Sequence, residues 1–594
     1  MPRTQRTSPG TRREWSRDML VFCVFCVAAL VMVVQLLNIQ LVNAAEVAQE
    51  ASDSHMSEET LTAARGTIYD RNGEVLATNV TVMTIWTDPT TVDDPETVAT
   101  VLADVLGEDY DETYDDYYAL VTKADSQYAY IQQKVDVELA DALEEALDEA
   151  LGEGVTSGIY YTEDTKRVYP YGETGSQVIG NVNSDGEGIA GLELEYGSGS
   201  EDDPGILAGT DGEALVEVGK GGLAISDGVS ETIEEVVDGL DIVTSLDIKL
   251  QEKAESSLLA CLEEYEAVGG NVMVMDAATG EIYAACSYAA ETDDEGEATG
   301  EYTLEVGKLA SITDAYEPGS TFKALTALSV LANDGMTASD TWLSVADSLE
   351  VYDATISDSH DHETQDMTLA TILAESSNVG IVLASRTVDT AQLYATYAMF
   401  GCGTAPATDF PGVAAGQLEE EDDWDGVQEA TITFGQGMTA TNAQLIAAYG
   451  AIEQRGTMRV PHFVTDVPGD ETTAAELALT LEATALVADA DVCDEVAEML
   501  CAVVEDGTGT DAAIEGFTVA GKTGTAQIAE GGTYGDEYNV SFIGWLEGSS
   551  SDLICAVTVN EPDTDSGGGP VCGPVFADIM SFAIECYKIS PDAD

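Results

Sequence analysis

At 594 residues the chain is too long for one ordinary domain and suits two or three, and 44% apolar residues supply ample material for large cores. Its 111 Asp and Glu outnumber 21 Lys and Arg for a net charge of −90, yet charged residues total only 22%. The chain is poor in bases more than crowded with charge, and such a surface repels phosphate backbones and excludes nucleic-acid binding through a basic face.

The imbalance is uneven. Residues 1–18 carry Arg3, Arg6, Arg12, Arg13 and Arg17 against Glu14 and Asp18, a net of +3, while everything after them sums to −93. Directly after Asp18 comes MLVFCVFCVAALVMVV, sixteen residues without a polar side chain, followed by QLLNIQLV. As one helix, Met19–Val42 is about 36 Å long, enough to cross a hydrocarbon layer of about 30 Å. Arginines before it and acids after it set the N-terminus in the cytoplasm and the body outside. A cleaved signal peptide is the rival reading, but the apolar stretch exceeds the usual signal core of about 7–15 residues, so an uncleaved anchor is expected.

The ten cysteines show no CxxC or Cys/His zinc spacing, so no structural metal is expected and most should be small buried residues. Cys493 and Cys501 share one helical stretch about 12 Å apart, too far to bond to each other. His360-Asp361-His362 could suggest a metal, but no third ligand accompanies it and a polar loop is the expectation.

Residues 43–240 are irregular and rich in Gly, Thr, Asp and Tyr. Arg65–Ala77 (RGTIYDRNGEVLA) predicts a strand, an Asn-Gly turn and a second strand. Val135–Leu151 has apolar positions at helical spacing and predicts an amphipathic helix. Near residue 240 the texture changes. A helix is expected from Ile248 to Tyr265, then a hairpin of Asn271–Met275 and Glu281–Cys286. Acidic insertions at Glu291–Glu301 and Glu419–Asp425 are expected as solvated loops.

Three elements carry chemistry. In Tyr316–Lys323 (YEPGSTFK), Pro-Gly opens an apolar helix, placing Ser320 at its N-terminus and Lys323 one turn later on the same face. A deprotonated lysine can take the proton that makes a serine nucleophilic, and helix-end amides favour the developing negative charge. Alone, SxxK more often marks a cap and a surface lysine. The second element, Ser376-Ser377-Asn378, lies between apolar helical runs, where a simple helix cap is the bland alternative. The third, Val519–Ala526 (VAGKTGTA), predicts a strand whose glycines leave its edge open to an extended ligand. In isolation it would pass for a turn with a surface lysine. SxxK, SxN and KTG in that order form the set shared by serine β-lactamases and penicillin-binding proteins.

With these motifs the chain resembles the class B penicillin-binding proteins, monofunctional peptidoglycan transpeptidases. The resemblance extends over the anchor, RGTIYDRNGEVLA, RVYPYGETG at 167–175, GIAGLELEY at 188–196, VTSLDIKLQ at 243–251, FGQGMTATNAQL at 434–445, EDGTGTDAA at 505–513 and GGPVCGPVF at 568–576. It implies a multidomain α+β protein: a basic cytoplasmic tail (1–18), a single transmembrane helix (19–42), an elongated β-rich pedestal or dimerisation domain (43–240), and a transpeptidase domain (241–594). That last domain would hold an antiparallel sheet between helices, as in serine β-lactamases. Gln177 stands where the pedestal often has a histidine.

By the same resemblance, Ser320 attacks the carbonyl between the last two D-alanines of a stem peptide, with Lys323 as its base. Ser376 relays a proton, Asn378 holds the substrate amide, and Lys522 with Thr523, Gly524 and Thr525 binds the terminal carboxylate. The backbone amides of Ser320 and Thr525 form the oxyanion hole. No cofactor is implied. Stem peptides, β-lactam antibiotics, the membrane, a SEDS-type glycosyltransferase and divisome proteins are the expected partners, in cell-wall synthesis with division favoured over elongation or sporulation. Two other readings remain: a β-lactamase-like hydrolase, which would need a positioned water, and a non-catalytic wall-synthesis scaffold, which would not require Ser320, Lys323 and Lys522.

Overall fold

The computed structural model describes residues 17–37, 56–124, 126–152, 154–197, 205–217, 230–293, 298–482, 484–530 and 533–591. They divide into two compact units, drawn from Met1–Thr62 with Asp211–Val236 and from Ala63–Thr210 with Val237–Asp594.

In the first unit, Arg17–Leu37 is one helix of 21 residues with Phe22, Phe25 and Leu30 exposed. At 1.5 Å per residue it is about 32 Å long. The last residues of the expected span, 38–42, lie outside the described residues, as does most of the basic head. The same unit holds an antiparallel sheet in the order Met56–Leu61, Gly212–Glu217, Ser230–Glu234.

In the second unit, the RGTIYDRNGEVLA segment forms the predicted pair, Ile68–Tyr69 against Val75–Thr87. Asp70 fixes the turn by accepting the amides of Asn72 and Glu74 at 2.7 and 2.8 Å. The long strand Val75–Thr87 pairs along its flanks with Ala129–Asp136 and Ile159–Val168. One face of these strands, including Ile85, Ile131, Val135 and Ile159, is buried under the helices Pro95–Tyr110, Tyr114–Val121 and Val137–Leu151. The helix predicted from Val135 begins at Val137, because Val135 and Asp136 complete a strand. Arg65 and Arg167 clamp the fully enclosed Glu193 at 2.5 and 2.7 Å, tying together three of the motif segments. A buried charge of this kind is tolerated only when paired.

The core beyond residue 240 is a six-stranded antiparallel sheet ordered Ala298–Thr303, Ile282–Thr292, Gly269–Asp276, Leu553–Asn560, Thr533–Glu547, Thr518–Glu530. Helices Ile248–Glu264 and Gly568–Tyr587 cover one face through Leu258, Leu262, Phe576 and Ile579. Lys323–Ala332, Asn442–Glu453 and Ala490–Asp506 pack into the core on the other side, with Met273, Met275 and Trp545. This is the expected sheet between helices. Gly568–Tyr587 is long and apolar enough to span a membrane, but its Val571, Cys572, Phe576 and Ile579 are buried in this core.

One expectation needs correction. The acidic segment Glu291–Glu301 is not simply a solvated loop: Ala298–Thr303 pairs with Ile282–Thr292 as an exposed edge strand. Charge suits such an edge, since it discourages pairing with another chain. Glu419–Asp425 stays exposed around a single turn at Glu421–Asp423. All ten cysteines are unpaired thiols, six of them buried.

Within this unit the motif-bearing segments before residue 200 dock through polar side chains on the helix Ile248–Glu264, the strand Ile282–Thr292 and the loop at Asp409. Glu255 accepts the Gly175 amide at 2.9 Å. Gln177 accepts the Ser287 amide at 2.7 Å and donates to the Lys308 carbonyl at 3.0 Å. The Tyr196 hydroxyl donates to the buried Asp409 at 2.7 Å.

Candidate active site

Ser320 lies in a short 3-10 turn, Gly319–Phe322, that runs into the helix Lys323–Ala332. Gly319 has φ +58° and donates its amide to the Gly435 carbonyl at 3.1 Å. Gly435 has φ +78°, and a Cβ there would stand 2.4 Å from the Gly319 oxygen. The FGQG segment is thus the backing on which the serine turn rests. The Tyr449 hydroxyl secures the turn by donating to the Thr321 carbonyl at 2.5 Å.

One helical turn separates Ser320 from Lys323, and the lysine Nζ lies 3.0 Å from the serine Oγ. The same Nζ donates to the Ser376 carbonyl at 2.5 Å and lies 3.2 Å from the Ser376 Oγ. Ser376 occupies the left-handed region at φ +58°, between the helices Leu369–Ala374 and Asn378–Ser385. The helix cap in this motif is Ser377, whose Oγ accepts the Gly380 amide at 2.8 Å. That leaves the Ser376 hydroxyl aimed at the two lysines. Asn378 donates its side-chain amide to the Ser357 carbonyl at 3.0 Å.

The KTG segment lies on Thr518–Glu530, at the end of the sheet as predicted. Lys522 is fully buried and donates to the Ser376 Oγ at 2.9 Å. The Thr523 hydroxyl lies 2.7 Å from that of Thr508, so the EDGTGT segment steadies it. A side chain at Gly524 would meet the Ser541 Oγ at 2.2 Å and the Thr321 Cγ2 at 3.1 Å. The absent side chain lets the serine turn lie against the strand. Thr525 is exposed beside them.

Ser320, Lys323, Ser376 and Lys522 therefore converge. Burial, and then the Lys522 cation, hold Lys323 well below the usual ammonium range, while Asp358 opposes them. Burial brings Lys522 down to about 7. Repulsion between two cations is mutual, so the charge on either lysine helps the other to yield its proton. A neutral amine 3.0 Å from a serine hydroxyl is a competent base, and a retained charge on Lys522 then favours an anionic ligand.

His360 and His362 stand in the expected polar loop, between the strands Ala354–Ser357 and Gln365–Met367. His362 Nε2 lies 3.0 Å from Asp358 Oδ2 and Nδ1 lies 3.0 Å from the Glu363 carbonyl. Among the described residues no group of three or more His, Cys, Asp or Glu is arranged to hold a metal. Asp358, Thr508 and Tyr449 also support the site, and no local pattern marks Asp358 or Tyr449. Only Thr508, inside the EDGTGT motif, carried a signal in the sequence.

Residues 270–581 match the family model described as the penicillin binding protein transpeptidase domain, and residues 60–244 match the penicillin-binding protein dimerisation domain. The chain is similar to the probable peptidoglycan D,D-transpeptidase PenA of Neisseria meningitidis, 29% identical across 90% of this chain and 86% of the relative. It is also similar to the peptidoglycan D,D-transpeptidase FtsI of Escherichia coli, 26% identical across 93% and 89%. Among solved structures, a putative peptidoglycan glycosyltransferase from Atopobium parvulum superposes with a TM-score of 0.65 at 30% identity, covering 89% of this chain and 99% of that one.

Proposed function

The chain belongs to the penicillin-binding protein transpeptidase family, and on that premise we propose that it is a peptidoglycan D,D-transpeptidase working through a Ser320 acyl-enzyme. Ser320 Oγ attacks the carbonyl carbon between the two terminal D-alanines of a donor stem peptide as its proton passes to Lys323. The tetrahedral oxyanion is met by the backbone amides of Ser320 and Thr525. Collapse breaks the peptide bond, and Ser376 hands a proton to the departing D-alanine amine. An amine from a neighbouring strand then attacks the ester, losing its proton through the same relay, and Ser320 is regenerated with a new peptide cross-link. Asn378 holds the donor amide. Lys522, Thr523, Gly524 and Thr525 hold the carboxylate, and β-lactams acylate the same serine.

The observation that carries this reading is the 3.0 Å approach of the buried Lys323 to Ser320, with Lys522 meeting the same Ser376. The helix Arg17–Leu37 serves as the core of a single membrane anchor, with the N-terminus cytoplasmic and the catalytic domain extracytoplasmic. In this scheme residues 43–240 form the pedestal and 241–594 the catalytic domain. A SEDS-type glycosyltransferase and divisome proteins are the partners proposed for the anchor and pedestal.

Purified full-length protein in detergent should be labelled by a fluorescent penicillin and release D-alanine from a D-Ala-D-Ala donor when an acceptor amine is present. Ser320→Ala should abolish both. A wild-type protein that neither takes the label nor releases D-alanine contradicts the assignment.

A further inference from the structure

Beside the reacting groups lies a carboxylate that has no place in the transfer scheme. Asp358 follows the hairpin of Ser348–Val351 and Ala354–Ser357, and its side chain is only 4% exposed. Oδ2 accepts the Ser377 hydroxyl at 2.7 Å, and Oδ1 accepts the Val379 amide at 3.0 Å. The preceding carbonyl, Ser357, takes the Asn378 side-chain amide. One short segment thus grips the SxN motif on both sides of Asn378.

The grip has something to hold. Ser376 sits at φ +58°, a conformation that residues with a side chain rarely adopt unless the surroundings hold them in it. Its carbonyl and hydroxyl both receive Lys323, and its hydroxyl receives Lys522. Relaxation of the turn would carry the hydroxyl away from both amines.

Asp358 is itself oriented by His362. Both ring nitrogens of His362 face oxygens that only accept, one on Asp358 and one on the Glu363 backbone. The doubly protonated ring satisfies both, and these contacts raise its pKa, with the Asp358 and Asp347 carboxylates adding to the effect. The His360 ring stands 6.1 Å away. The negative charge of Asp358 also bears on Lys323, opposing the burial and the Lys522 repulsion that lower its pKa.

We propose that Asp358, oriented by His362, is a positioning residue for the Ser376–Ser377–Asn378 turn and hence for acyl transfer at Ser320. The proposal rests on the transpeptidase reading above. It predicts two opposite shifts in the pH dependence of acylation, which a purely structural role would not produce. Loss of the Asp358 charge makes Lys323 easier to deprotonate, whereas loss of the His362 cation leaves that charge unopposed.

The test is the second-order rate of acylation by a fluorescent penicillin between pH 5 and 9, on full-length protein in detergent, with melting temperatures in parallel. Asp358→Asn should slow acylation on the order of tenfold at neutral pH and move the acid limb to lower pH. His362→Ala should slow it several-fold and move the acid limb to higher pH. Should Asp358→Asn fail to fold, the His362→Ala profile decides. Wild-type rates with unmoved acid limbs, beside a wild type that labels normally, overturn the positioning role alone. A wild type that takes no label overturns the underlying assignment as well.

Discussion

Lys522 reaches the hydroxyl of Ser376 over 2.9 Å, so the strand Thr518–Glu530 is wired to the left-handed turn at Ser376, the proposed relay. The lysine has two effects there: it attracts a carboxylate, and it repels a proton from Lys323. Lys522→Gln should therefore raise the Lys323 pKa and move the acid limb of acylation to higher pH. One unit of such a shift is about tenfold in the fraction of active base below that limb. Acylation rate against pH checks this, and an unchanged rate and limb would sink it.

Gly435 is expected to be as intolerant as the residues proposed to react. Gly435→Ala places a methyl against the Gly319 carbonyl and amide in a left-handed conformation. We expect a loss on the order of 2–3 kcal/mol and slower acylation, since the serine turn must shift. Gly437 has the same φ but meets only side-chain atoms at 3.4 Å, so Gly437→Ala is the milder control. Thermal melts and labelling rates of the pair would refute the idea if the two variants behaved alike.

The Tyr196–Asp409 contact should reveal itself through pH. Burial pushes the Asp409 carboxyl up to about 6 from an ordinary 3.8, so its contribution to stability is full below that lower value and declines as pH rises toward 6. Tyr196→Phe removes a hydrogen bond that matters most to the ionised carboxylate. The variant should lose about 1–3 kcal/mol at pH 7.5 and less at pH 5. Denaturant unfolding at both pH values measures it; an equal loss at each would contradict the account.

The site was legible where its residues are close along the chain or sit in a distinctive local pattern. Ser320 and Lys323 meet because one helical turn brings them together, and KTG advertises an accessible strand by its glycines. The supports were not legible, because they act across long separations. Asp358 lies 19 residues before Ser377, and Tyr196 lies 213 before Asp409. Only the folded chain brings such partners together. The edge strand Ala298–Thr303 was hidden for a different reason: its largely exposed residues, ATGEYT, lack the apolar alternation of a half-buried strand.

Two of the nine Lys and Arg from residue 241 onward, Lys323 and Lys522, are fully enclosed at the site. A carboxylate approaching the strongly anionic exterior meets like charge before it reaches them. That repulsion fades over a screening distance of about 10 Å in 0.1 M salt and reaches farther in dilute solution. Ambient electrolyte thus governs how readily anionic ligands arrive: brine shortens the barrier, and fresh water lengthens it.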